Sequence, residues 1–282
     1  MAADPTMLDA AAAPREDAEA PPARARPARR WPVGWILPAL VLLLAEAAPR
    51  MGWISANLLP PPSTVLETLI AMGPQGLAAH IAASTARVAA GFALGAALAV
   101  LAGALVGLSP LGARLLDPSC QALRAIPSLA WVPLLLLWLG IDEAPKVVLI
   151  AIGAFFPVYM GVSSGFRDVD RKLVEVARLA RLSPLALVGR VLLPAAMPAV
   201  FTGLRNGLSL AWMFMVAAEL IAASKGLGYL LTDGRETSRA DIVLAAILLL
   251  AVLGQLSDRL MQALERRLLA WRDTFDHGGA VR

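Results

Sequence analysis

The sequence predicts an all-α, polytopic membrane protein with six transmembrane helices and both ends in the cytoplasm. Three observations carry this. The 282 residues are 58% hydrophobic and only 16% charged, with a mean hydropathy of +0.68. A soluble domain of this length has about a quarter charged residues. The apolar runs approach or exceed the roughly 20 residues that a helix needs to cross a bilayer. Lys and Arg are also distributed unevenly. With the N-terminus inside, 17 fall on inner segments and 5 on outer ones, while Arg87, Arg124 and Arg205 fall within spans. That bias fixes the orientation. It also accounts for the net charge of +4 without nucleic acid as a partner.

The elements follow in order. Residues 1–32 are rich in Ala, Pro and Arg and read as a disordered cytoplasmic arm. They lack the early apolar core of a cleaved signal. The first span covers about residues 31–48. Pro60, Pro61 and Pro62 form a stiff elbow, and Ser63 caps a short amphipathic helix outside the membrane. The second span covers 77–108, where Gly91, Gly95, Gly103 and Gly107 give the small-xxx-small spacing of close helix packing. The third, 115–139, is interrupted by Pro118, Pro127 and Pro133, and the fourth, 146–165, contains Pro157. A charged loop fills 166–194. The fifth span is 195–223. Residues 224–239 are polar and Gly-containing, and are predicted to be a loop. The sixth span, 241–256, continues as a helix to Trp271, with the tail at 273–282.

The loop has its own periodicity. Arg171, Lys172, Glu175 and Arg178 share one helical face, and Leu173, Ala177 and Ala180 line another. Ser183-Pro184 is an N-cap followed by proline at the first helical position, so a second helix starts there. Leu185, Val188 and Leu192 form its apolar edge, and Pro194 is expected to end it and begin the next span. A helix–turn–helix along the inner membrane face is the result.

Polar residues inside spans are costly and mark candidate pathways. Arg124, Asn206, Ser209 and Met213 are the candidates. The last three lie three or four residues apart. For Asn206 and Ser209 two readings stand open: interhelical hydrogen bonding, or lining of a pathway. Arg205 either attracts an anion or snorkels to the inner interface. Asp142, Glu143 and Lys146, expected outside, either meet a partner or form a solvated turn. Trp131, Trp138 and Trp212 read as packing or interfacial anchors.

The stretch EVARLARLSPLALVGRVLLP, residues 175–194, resembles the EAA loop of ABC-importer permeases. Glu175, Ala177, Leu193 and Pro194 fall in register. Val176 and Val191 replace Ala and Ile, and Arg181 stands where the pattern has Gly. LRAIPSLAWVPLLLLWLGIDEAPK (123–146), FFPVY (155–159) and AAELIAASKGLGYLL (217–231) are similar to the aliphatic sulfonate, taurine and nitrate branch. The sulfonate members are the most similar, and the resemblance covers about residues 55–275.

This resemblance implies a type I ABC-importer permease fold over residues 33–272 in a bacterial inner membrane. The implied partners are a second permease copy, cytoplasmic ABC ATPase subunits and a periplasmic substrate-binding protein. The cargo would be a small organic anion, with sulfonate ahead of taurine, nitrate or a heterocyclic vitamin precursor. Glu175, Ala177, Arg178, Ala180, Arg181, Ser183, Pro184, Leu185 and Pro194 would couple to the ATPase. ATP and magnesium would sit on that partner, and this chain would bind no cofactor. Arg181 disfavours the left-handed backbone that Gly allows. Either the turn moves to Ser183-Pro184, or the partner offers an acidic pocket.

Other chemistries fit poorly. The chain has no GxxxxGK[ST] phosphate loop, no HExxH, and only two distant histidines, His80 and His277. One cysteine, Cys120, forms no intrachain disulfide. A secondary transporter would need paired acids deep in the membrane and repeated halves, which the sequence lacks.

Overall fold

The computed structural model describes Gly34 and residues 36–271. The expected arm over 1–32, the start of the first span and the tail over 273–282 lie outside the described residues. The chain divides into two units, 1–43 and 44–282. Of the first, the structure describes the apolar start of α1 (Ile36–Arg50), exposed from Ile36 to Leu43. At 15 residues, α1 is about 22 Å long, short of a bilayer core.

The second unit contains α2 (Pro62–Ala71), α3 (Gly73–Leu108), α4 (Pro110–Ala125), α5 (Val132–Leu139) and α6 (Glu143–Arg167). It continues with α7 (Arg171–Leu179), α8 (Pro184–Leu187), α9 (Leu193–Ala222), α10 (Leu227–Glu236) and α11 (Ala240–Leu268). Among the described residues there is no strand. Among the described residues four helices are long and apolar enough to cross a membrane: α3, α6, the run Pro184–Ile221, and α11. The third expected span is two helices. α4 and the segment Ser128–Leu139 meet at an 88° bend and count as a fifth span only if taken together. Pro127 stands at this break, where its ring and the extended backbone of Ile126 stop the helix.

Helix α6 is the axis, packed along α3 on one side and α9 on the other. Lipid tails are as apolar as leucine, so these helices gain chiefly from close contact and not from leaving water. The small residues on α3 supply it. A Cβ on Gly91 would come within 2.6 Å of Ile150, one on Gly103 within 2.8 Å of Val162, and one on Gly107 within 2.6 Å of Phe166. Gly95 meets the backbone of Ala151. On the other side Gly161 and Gly203 face each other, each within 3.0 Å of the other's Cα if given a Cβ. Ile150, Ala154, Val158 and Met215 are fully buried between the layers. Trp131 and Trp212 pack on this core, and Trp212 Nε1 donates to Ser257 Oγ at 2.9 Å. Trp138 stays exposed.

Residues 224–239, expected as a loop, contain α10. Their polar surface hides Leu227 and Leu230, which are buried against Ile242 and Ala246 of α11. Proline alone misplaced another boundary. Pro194 does not end the second loop helix. A π-turn over Val188–Leu192 carries the helix through it, and Leu193 N bonds Val188 O five residues back. The wider turn makes room for a ring that would otherwise strike the carbonyl four residues earlier.

Candidate functional site

The loop lies at one end of the bundle, the cavity midway along α6 and α9, and a third feature at the opposite end. At the first end, α7 and α8 form the expected helix–turn–helix. Asp170 accepts a hydrogen bond from Lys172 N and starts α7. Ser183 Oγ accepts from Ala186 N at 3.3 Å with Pro184 at the first position, so the expected cap of α8 forms. Between them, Arg181 N donates to Arg178 O at 2.9 Å and Leu182 N to Ala177 O at 3.2 Å. This is a Schellman ending, and its left-handed residue is Arg181, with φ of 53°. The turn has therefore not moved to Ser183-Pro184. Arg181 occupies the conformation that glycine adopts without cost.

The loop's side chains divide into two sets. Val176, Leu179 and Leu185 are 64%, 84% and 87% exposed. Glu175, Arg178, Ala180, Arg181, Ser183 and Pro184 are also exposed, and Glu175 lies 3.7 Å from Arg171. Ala177 differs from the rest. It is 4% exposed, turned toward its own chain, and offers no surface to a partner. Pro194 is half-buried where the loop becomes α9.

A cavity of about 770 Å³ lies among α4, α6 and α9 and the segment after α4. Arg124, Ser128, Ser164, Thr202 and Asn206 contribute its polar groups, with Met160 and Met213 beside them. Phe156, Leu210 and Phe214 add apolar wall. Of the four expected pathway residues, three line it. Ser209 does not; its hydroxyl donates to Arg205 O at 3.1 Å, one turn back along α9. Arg205 is also absent from the lining. It binds Asp258 through Nε and Nη2 at 3.0 and 3.2 Å and lies 3.6 Å from Glu265, both on α11.

The opposite end holds a charge cluster that sequence reasoning did not assemble. Arg87 of α3 is 7% exposed and Glu219 of α9 is 1% exposed. Arg87 Nη1 donates to Glu219 at 2.6 Å and to Lys225 O at 2.6 Å. Its Nε and Nη2 grip both carboxylate oxygens of Glu143 at 2.6 and 2.7 Å. Lys146, buried on the first turn of α6, donates to Glu143 at 3.0 Å. Glu219 also accepts from Ser84 Oγ at 2.8 Å and Gly228 N at 2.7 Å. Two cations and two anions thus tie α3, α6, α9 and the start of α10. Lys146 is buried in this cluster, whereas Glu143, held by both cations, keeps 55% of its side chain exposed. A signal was available: Arg87, Glu143, Lys146 and Glu219 each sit about one membrane crossing of helix away from the α7 end, with charges that cancel.

Comparison with known proteins agrees with this architecture. Residues 81–270 match the family described as binding-protein-dependent transport system inner membrane component. A chain named as an aliphatic sulfonates transport permease, SsuC, of Bacillus subtilis (strain 168) is 42% identical over 277 residues, covering 96% of this chain and 100% of that one. The taurine transport system permease protein TauC of Escherichia coli (strain K12) is 37% identical, covering 83% and 87%. The solved inward-facing MetNI methionine ABC transporter shares the fold, with a TM-score of 0.57 at 20% identity, covering 66% of this chain and 92% of that one. The chain belongs to the binding-protein-dependent transport system inner membrane components, the non-catalytic, multi-pass permeases of ABC importers.

Proposed function

We propose that this chain forms the translocation pathway of an ATP-driven importer for a small organic anion, with an aliphatic sulfonate as the cargo. It works with a second permease copy in the bacterial inner membrane, as six spans with both termini inside. A periplasmic binding protein delivers the cargo. Cytoplasmic ATPase subunits hold ATP and magnesium, and this chain holds neither. The sulfonate assignment rests on the relatives named for it. Taurine is the second reading, since a taurine permease stands nearby in identity.

The single observation that carries coupling is the exposed face of α7 and α8. Val176, Leu179 and Leu185 present apolar surface at the end of the bundle, ringed by Glu175, Arg178, Arg181, Ser183 and Pro184. Such a face left in water is unfavourable, and a partner groove would cover it. Ala177 acts from behind, packing α7 onto its own chain, and Ala180 sits at the turn. Pro194 joins the loop to α9, so a displacement of the docked helices reaches the cavity that Arg124, Asn206 and Met213 line.

The test is recovery of the ATPase with the tagged permease. Glu175→Lys should weaken that complex while the permease remains inserted, because an acidic rim contact becomes repulsive. Leu185→Asp should weaken it more. Normal complex recovery and normal uptake in both variants would remove this face from the interface.

A further inference from the structure

Three arginines fall within the expected spans, and the structure separates them. Arg87 is locked to Glu143 and Glu219, and Arg205 to Asp258 and Glu265. Arg124, at the last turn of α4, points into the cavity, where its Nη1 lies 2.7 Å from Met160 Sδ. Among the described residues no carboxylate pairs with it. A thioether is a weak acceptor and leaves the guanidinium charge uncompensated. Arg124 is exposed to the cavity, so its fork is free to take an anionic ligand.

The cavity's other groups narrow the ligand's chemistry. Asn206 offers an amide donor and Ser128 a hydroxyl beside Arg124, while the Ser164 and Thr202 hydroxyls donate to Gly161 O and Pro198 O of their own helices. None of the lining residues is acidic. A guanidinium fork matches a tetrahedral or planar oxyanion, whereas an ammonium would enter beside a like charge with no carboxylate to receive it. The remaining wall is Phe, Leu and Met, which suits a short apolar tail.

We infer that Arg124 meets the anionic head of the cargo in the cavity, and that the permease itself favours a monoanion with an apolar tail over a zwitterion bearing an ammonium. This rests on the proposed role of the cavity as the pathway. Selection by charge would then occur in this chain as well as in the protein that delivers the cargo.

The experiment uses the full complex of permease, ATPase and binding protein in vesicles, in a Cys120→Ala background. Arg124→Gln should cut butanesulfonate uptake about tenfold or more at unchanged ATPase recovery, and Arg124→Lys, which keeps the charge and loses the fork, should fall between Arg124→Gln and the parent. In the permease–ATPase complex alone, butanesulfonate should raise the melting temperature and 4-aminobutanesulfonate should not. Arg124→Gln should abolish that rise. Uptake by Arg124→Gln within twofold of the parent, or equal stabilisation by the two sulfonates, overturns the proposal. If Arg124→Gln does not assemble, Met160→Glu neutralises the guanidinium in place, and unchanged uptake then overturns it equally. A thiol reagent on the Met213→Cys variant separates the two readings. Blocked uptake there beside normal uptake in Arg124→Gln keeps the pathway and removes the anion contact. Unblocked uptake removes the pathway itself.

Discussion

Replacing Arg87 with methionine should be among the most damaging single changes in the membrane domain. The side chain makes four hydrogen bonds of 2.6–2.7 Å: two to Glu143, one to Glu219 and one to Lys225 O. Methionine fills much of the volume and makes none of them. Glu143 is 55% exposed at its side chain and keeps Lys146, so water compensates it. Glu219 has no such recourse. Its side chain is fully buried, and only Ser84 Oγ and Gly228 N remain to hold its charge. Removing one partner of a buried pair costs about 3–5 kcal/mol, because the other charge is stranded. For a chain of this size that corresponds to a melting temperature lower by roughly 6–20 °C. Glu143→Gln should cost only about 1 kcal/mol, as a half-exposed pair does. Arg87→Met with Glu219→Gln should recover more than half of the loss, since the stranded charge is gone. The assay is thermal melting of the purified permease–ATPase complex, with the amount of permease in the membrane as a second measure. A parent-like melt for Arg87→Met, or a double variant no better than the single one, would refute the reasoning.

Other outcomes follow from the same geometry. Gly161→Leu should prevent folding at the α6–α9 contact, because even a Cβ would meet Gly203 Cα at 2.7 Å; overpacking of this kind costs about 1–3 kcal/mol or more, seen as lost membrane-inserted protein. Arg181→Gly should stabilise the α7 ending by about 0.5–1 kcal/mol, since φ of 53° costs a residue with a Cβ more than glycine; a lower melting temperature would contradict this. Cysteine labelling tests the topology in a Cys120→Ala background: Ser224→Cys should react with an impermeant reagent from outside and Ser183→Cys only from inside, both positions being exposed.

The long elements were legible because hydropathy over 20 residues is a strong signal, and α3, α6, α9 and α11 fall close to their expected ranges. Ser183-Pro184 was legible because a cap and a first-position proline are local chemistry. What failed was whatever depends on a neighbour. Pro194 looked like a terminator, because nothing in sequence announces that a π-turn will absorb it. The segment holding α10 looked like a loop, because its two buried leucines are visible only once α11 lies beside them. Ser209 shares its spacing with Asn206 and Met213, yet it does not line the cavity, and spacing alone does not say which side of α9 faces it. Arg87, Glu143 and Glu219 lie far apart in the chain, and nothing local pairs Arg87, inside α3, with acids near the ends of α6 and α9.

The π-turn has a mechanical consequence. By carrying the helix through Pro194, it makes Pro184–Ile221 one unbroken helix of 38 residues, roughly 57 Å measured along its axis. Near its far end, Glu219 is pinned to Arg87, which makes that point a fulcrum. A sideways push at Pro184 becomes a rotation about Glu219, and every residue between them sweeps an arc in proportion to its distance. A tilt of about 5° would carry Pro184 about 5 Å and Asn206, some 20 Å from the fulcrum, a little under 2 Å. The chain would thus act as a reducing lever, turning a large stroke at the loop into a fine adjustment of bore at the cavity.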